Sequence, residues 1–135
     1  MDTLVGMYGP AITAGVVLAA LILVQVLVAD VAGIRARHVP GMPVIEGHAS
    51  FLFRSVRALA NTNETLGLFL LLMGCALLLQ ASAAWVNTLA WVYVAARGAH
   101  TVCYYARWGL ARGVMFGIGL AAQAGLLFAC LLKLS

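Results

Sequence analysis

Six side chains capable of chemistry fall at helical spacing in two otherwise apolar stretches. Arg57, Asn61 and Glu64 open one stretch, and Arg97, His100 and Tyr104 close the next. At about 100° per residue, Arg54, Arg57, Asn61 and Glu64 lie within roughly 80° of one another on a helix, and Arg97, His100 and Tyr104 within about 60°. The first stripe runs directly into the apolar Leu66–Leu79. An unpaired charge inside a membrane helix costs at least ~2.5–3.5 kcal/mol, so ionisable groups there point to function by default. The chemistry these groups fit is anion capture, because arginine's planar fork matches carboxylates and phosphates. Arg35, Arg37, Arg54, Arg57, Arg97, Arg107 and Arg112 gather on one side of the chain's membrane plan, against only Asp30, Glu46 and Glu64. A small polyanion entering from the cytosol would supply the missing partners. The plainer alternative is that Glu64 and Arg97 neutralise each other while the remaining arginines only set orientation.

The elements that must position these residues follow from composition. Of the 135 residues, 64% are hydrophobic and 9% charged, and the mean hydropathy is +1.05. That is far from a soluble chain and predicts an all-α integral membrane four-helix bundle in one domain. The spans are expected at about Pro10 to Ala29, Ser50 to Gln80, Ser82 to Tyr105 and Arg112 to Leu132. Asp30–Ala49, with Pro40, Gly41, Pro43 and Gly47, is the one long loop. Short links near Ala81 and at Ala106–Ala111 make neighbouring helices antiparallel. The second span, about 46 Å long as a helix, exceeds a hydrocarbon core of about 30 Å, so its first turns with Arg54 and Arg57 should stand at the interface or in the cytosol.

Loops one and three carry the arginines, which predicts that both face the cytosol and both termini lie outside. No basic region precedes the first apolar run, so it reads as a retained span rather than a cleaved signal. The net charge of +4 is what insertion requires and does not indicate nucleic-acid binding. Cys75, Cys103 and Cys130 form no disulfide framework, and no Cys/His spacing suits a metal. Arginine and alanine far outnumber lysine, which points to a GC-rich bacterial genome and hence an inner membrane.

Counting from the outer link puts Glu64 about 24 Å deep and Arg97 about 23 Å deep on antiparallel neighbours. By the same count Asn61 levels with His100 and Arg57 with Tyr104, a three-rung ladder with Arg112 entering from the fourth span. Spacing leaves open whether the rungs form within one chain or between subunits. His38 and His48 are expected to be solvated, and Trp85, Trp91 and Trp108 to be interfacial or lipid-facing anchors. Gln25 is expected to bond to a neighbouring helix, and Tyr93 to make a buried hydrogen bond. Gly113, Gly117, Gly119 and Gly125 fit close helix packing.

At these residues the chain resembles the membrane-associated proteins of eicosanoid and glutathione metabolism. Arg57-Ala58-Leu59-Ala60-Asn61-Thr62-Asn63-Glu64 is similar to that family's Arg-Ala-x-x-Asn-x-x-Glu signature on its second helix. Arg97-Gly98-Ala99-His100-Thr101-Val102-Cys103-Tyr104 is similar to its Arg-x-x-His-Thr-x-x-Tyr pattern on the third. The resemblance implies a homotrimer with three glutathione sites at subunit interfaces, open to the cytosol. It implies glutathione binding by Arg35, Arg57, Asn61, Glu64, Arg97, His100 and Tyr104, and catalysis by Arg112, with Tyr104 as a second donor to the sulfur. A guanidinium in a low-dielectric pocket favours the thiolate that must attack. Leu59, Gly113 and Phe116 stand where the prostaglandin-synthase branch has His, Ser and Tyr, and they argue against prostaglandin isomerisation.

The leading expectation is a membrane glutathione transferase. It would join glutathione, its co-substrate, to hydrophobic electrophiles from the bilayer, with glutathione peroxidase activity toward lipid hydroperoxides as a second expected capability. A non-enzymatic lipid-presenting scaffold of the same family is the alternative, although it would have no need of Arg112. A small four-span exporter fits less well, because such exporters centre on an acidic residue in their first span and this chain has none there.

Overall fold

The computed structural model describes residues 2–135, which form four helices and no strands. They are α1 (Asp2–Arg35), α2 (Phe51–Leu78), α3 (Ala83–Tyr105) and α4 (Gly109–Leu134). α3 packs against each of the other three, while α1 and α4 do not touch among the described residues. Large apolar side chains such as Val16, Leu23, Leu71 and Leu132 cover the outside. Such a surface is stable only in lipid, and it makes this an integral membrane protein.

α1, α2 and α4 are each long and apolar enough to cross a bilayer. α3 is the most polar of the four, yet its 23 residues, about 35 Å, also suffice. It spans as the interior helix. Tyr93, Arg97, His100, Thr101 and Tyr104 are all buried against the other three helices, so lipid never meets them.

α1 extends well past the span expected at about Pro10 to Ala29. At the C-terminal end, Asp30 does not stop it, because a single charge is no helix breaker, and it continues to Arg35. The loop accordingly begins six residues later than the sequence implied. Near the N-terminus Pro10 lies within the helix, where proline removes a backbone donor. The Asn87 side chain repairs the neighbouring turn: its Oδ1 accepts from Ala11 N at 3.1 Å and its Nδ2 donates to Met7 O at 3.0 Å.

Three helices end in the same way. Arg37, Gln80 and Arg107 each take a left-handed conformation, with φ of 52°, 50° and 65°. The next residue's N–H then reaches back five residues, His38 to Gly33, Ala81 to Ala76 and Trp108 to Cys103. This satisfies carbonyls the helix would leave open, in a cap usually made by glycine. The tight α2–α3 and α3–α4 links follow from it.

Along its length the bundle divides in two. Tyr8, Ala14, Leu18, Phe69, Leu72, Ala76, Val86, Ala90, Leu126 and Ala129 form the apolar core at the end away from the long loop. The loop half buries polar side chains instead, among them Arg54, Ser55, Thr62, Arg97, His100 and Thr101. Between them Gln25 Nε2 donates to Thr62 Oγ1 at 3.0 Å and Thr101 Oγ1 at 2.6 Å, tying α1 to α2 and α3 as expected of it.

Candidate functional site

Arg97 is the largest fully buried side chain among the described residues, only 1% exposed. It arises from the inner face of α3, and its Nη1 donates to Asn61 Oδ1 at 2.9 Å across the α2 boundary. The guanidinium lies 5.7 Å from the Tyr93 ring centroid and 5.3 Å from that of Phe116. On the α4 side it rests on Gly119, where an added Cβ would come within 3.2 Å of Nη2. Aromatic faces, one amide and a missing side chain therefore make the cradle, and no carboxylate takes part. Among the described residues Arg97 Nε and His100 Nδ1 are buried without a hydrogen-bond partner, so the cluster retains unused hydrogen-bonding capacity at its centre.

One turn toward the loop, His100 meets the Tyr104 ring edge-on at 5.2 Å and Phe116 at 6.3 Å. Arg112, in the first turn of α4, places its Cζ 4.4 Å from the Tyr104 ring centroid. Asn61, Arg97, His100, Tyr104 and Arg112 thus converge from three helices at the loop half of the bundle.

The ladder expected from depth counting is displaced. Glu64 and Arg97 do not pair, and neither Asn61–His100 nor Arg57–Tyr104 forms a hydrogen-bonded rung. Arg97 instead bonds to Asn61, and Tyr93 OH lies 2.8 Å from Thr65 Oγ1, a register about one turn away. The reason is geometric. Counting levels Cα atoms, whereas arginine and tyrosine reach a full turn along the neighbouring helix. The α2 face turned inward carries Ser55, Ala58, Thr62, Phe69, Leu72 and Ala76. Glu64 sits on its flank, exposed, and its closest polar contact is Asn61 Nδ2 at 3.5 Å.

Two other expected site residues stay outside the cluster. Arg35 is exposed at the end of α1, beside an open groove lined by Val24, Leu27, Val28 and Val31. Arg57 is half-buried on α2 and makes no side-chain hydrogen bond among the described residues. Gly113 and Gly117, expected to pack closely, face open space, while Gly119 and Gly125 are the glycines that admit neighbours. Among the described residues, no group of three or more His, Cys, Asp or Glu side chains is placed to hold a metal.

Three contributors were not legible as such. Gly119 seats Arg97, but it was indistinguishable from the other glycines of its helix. Arg54 shares the helical stripe of α2, yet it turns back to the loop, where Nη1 donates to His48 O at 2.7 Å and Ala49 O at 2.8 Å. His48, expected to be solvated, lies 6.2 Å from the Tyr104 ring at an interplanar angle of 26°. No sequence signal marks it, because a loop of this length fixes no contact by spacing.

A four-helix membrane bundle with a carboxylate-free arginine cluster buried at its loop half defines the class. The chain matches the MAPEG family over residues 12–132, and it belongs to that family, which includes glutathione transferases and related members. No curated protein and no solved structure matches the chain.

Proposed function

We propose that this protein is a glutathione transferase of the membrane, working as a homotrimer with its sites open to the cytosol. The observation that carries the reading is the pairing of Arg97 with a neutral amide while Arg112 stands over Tyr104. Buried or half-buried guanidinium groups without carboxylates favour an anionic ligand. Glutathione offers two carboxylates, one ammonium and a thiol. Arg97, Asn61, His100 and Tyr104 would hold it within one protomer. Arg35, Arg57 and Glu64 would complete the site from the faces that a single protomer leaves open, Glu64 by meeting the ammonium.

Arg112 would stabilise the thiolate, with Tyr104 as a second donor. The glutathione S–H bond breaks with its proton lost to water, and the sulfur lone pair forms a bond to the electrophilic carbon. The leaving group departs with the displaced pair. Reduction of a lipid hydroperoxide at the same site would consume two glutathiones and yield the alcohol, water and glutathione disulfide. Holding thiolate and acceptor together supplies much of the acceleration. The composition supports a bacterial inner membrane as the setting, with both termini outside.

Purified protein mixed with glutathione and a generic aryl halide tests the reading. Turnover that depends on both supports it, and no turnover with aryl halides or lipid hydroperoxides favours the lipid-presenting alternative.

A further inference from the structure

His48 is exposed, yet its ring is not free. It lies near-parallel to the Tyr104 ring at 6.2 Å and edge-on to the Phe53 ring at 5.0 Å. Its backbone is held as well, by the two bonds from Arg54 Nη1 to the carbonyls of His48 and Ala49. Arg54 is only 9% exposed, so its guanidinium has exchanged most of its water for those oxygens. A buried charge is tolerable only when bonded in this way, and charge-assisted bonds are among the strongest available to a side chain. Ser50 closes the turn, since its N–H donates to Gly47 O at 2.9 Å and its hydroxyl oxygen accepts from Phe53 N at 3.4 Å. Residues 47–50 therefore form a fixed turn fastened to the start of α2.

That turn meets the site at one ring. Tyr104 contacts Arg112 from α4, His100 from its own helix and His48 from the loop. Of the three, only His48 links Tyr104 to the segment outside the bundle.

We infer that His48 is a positioning residue of the site: Arg54 fixes the turn, the turn holds the imidazole against Tyr104, and Tyr104 so held presents its face to Arg112. This rests on the proposed roles of Arg112 and Tyr104 toward glutathione. The contacts of His48 are ring contacts, so its shape matters and its proton does not. Phenylalanine preserves the flat ring, whereas alanine removes it and lets Tyr104 turn.

The full-length protein in detergent, labelled with 3-fluorotyrosine, allows the ring to be watched directly. Tyr104→Phe identifies the Tyr104 fluorine resonance. His48→Ala is expected to shift and broaden that line, and His48→Phe to restore a single narrow one. In steady-state conjugation, His48→Ala should lower kcat about tenfold with KM for glutathione within about threefold, a loss of orientation more than of binding. His48→Phe should return kcat to within about twofold of the parent. Arg54→Met should copy His48→Ala, and the double variant should be no worse than either single. If Arg54→Met is too unstable to assay, the His48 pair decides alone. An unmoved Tyr104 line with parental kcat in His48→Ala would overturn the inference. So would a His48→Phe variant as impaired as His48→Ala, which would make the imidazole nitrogens the active part. A parent protein that conjugates nothing strikes the glutathione reading instead, and the fluorine line alone then judges whether His48 holds Tyr104.

Discussion

Arg97 on α3 donates to Asn61 Oδ1 on α2 at 2.9 Å, and Glu64, one turn further along α2, takes no part in that bond. A neutral amide holds the most deeply buried guanidinium, so the positive charge of the cluster is retained rather than cancelled. The acidic side chain of the same helix faces outward from the protomer.

Removing the amide should therefore hurt more than removing the acid. Asn61→Ala strands Arg97 without its side-chain acceptor and should destabilise the fold by about 1.5–3 kcal/mol, the range for a bond to a charged group. Glu64→Gln should cost under about 1 kcal/mol in a protomer. A double-mutant cycle of Asn61→Ala with Arg97→Gln, followed by unfolding in mixed micelles, should show coupling above about 1 kcal/mol. The cycle of Glu64→Gln with Arg97→Gln should be close to additive. Strong coupling in the second cycle and none in the first would reverse the assignment.

Gly119 is the seat of the same guanidinium. Gly119→Ala puts a Cβ 3.2 Å from Arg97 Nη2, and the guanidinium is hemmed by Tyr93 and Phe116. Overpacking of this kind costs about 1–3 kcal/mol. Gly113→Ala and Gly117→Ala meet nothing within 4 Å in the protomer. They should leave a dispersed protomer's melting temperature nearly unchanged. If the parent has the proposed trimer's mass in mild detergent, a lower mass for either variant would place those glycines at a subunit contact.

The helix ends offer a prediction independent of function. Gln80 holds φ of 50° at the end of α2, a conformation that costs a side-chain-bearing residue roughly 1–2 kcal/mol. Gln80→Gly should raise the unfolding free energy by up to about 1 kcal/mol, since glycine's greater freedom in the unfolded chain offsets part of the gain. Unfolding at equal detergent concentration checks this, and a destabilised Gln80→Gly would mean that the glutamine side chain contributes something its position does not reveal.

Much of this molecule could be read from its residues, and the exceptions have physical causes. Hydropathy and chain length imply all four helices, and the helical stripe of Arg97, His100 and Tyr104 marks the inner face of α3. Gln25 and Tyr93 bond inside the bundle as their isolation among apolar neighbours implied. Arg97 bonds to Asn61 and not to Glu64 because side-chain reach, unlike Cα depth, does not follow from counting residues. His48 is exposed, as its place in the loop implies, but the contact of Arg54 with the His48 and Ala49 carbonyls depends on the path of the loop, and no periodicity governs that path. Arg35, Arg57 and Glu64 lie outside the cluster, because they stand on faces of α1 and α2 that are not turned toward α3 and α4.

The most direct test of thiolate stabilisation by Arg112 is ultraviolet absorbance while glutathione is titrated into the parent, Arg112→Ala and Arg57→Ala across pH, because the thiolate absorbs where the thiol does not. Arg112→Ala should bind glutathione within about tenfold of the parent, form less thiolate at each pH and lose roughly 10²-fold or more in turnover, the scale of one lost electrostatic stabiliser. Arg57→Ala should weaken binding more than turnover at saturation. An Arg112→Ala protein that forms thiolate as readily as the parent would contradict the assignment and move the role to the Tyr104 hydroxyl.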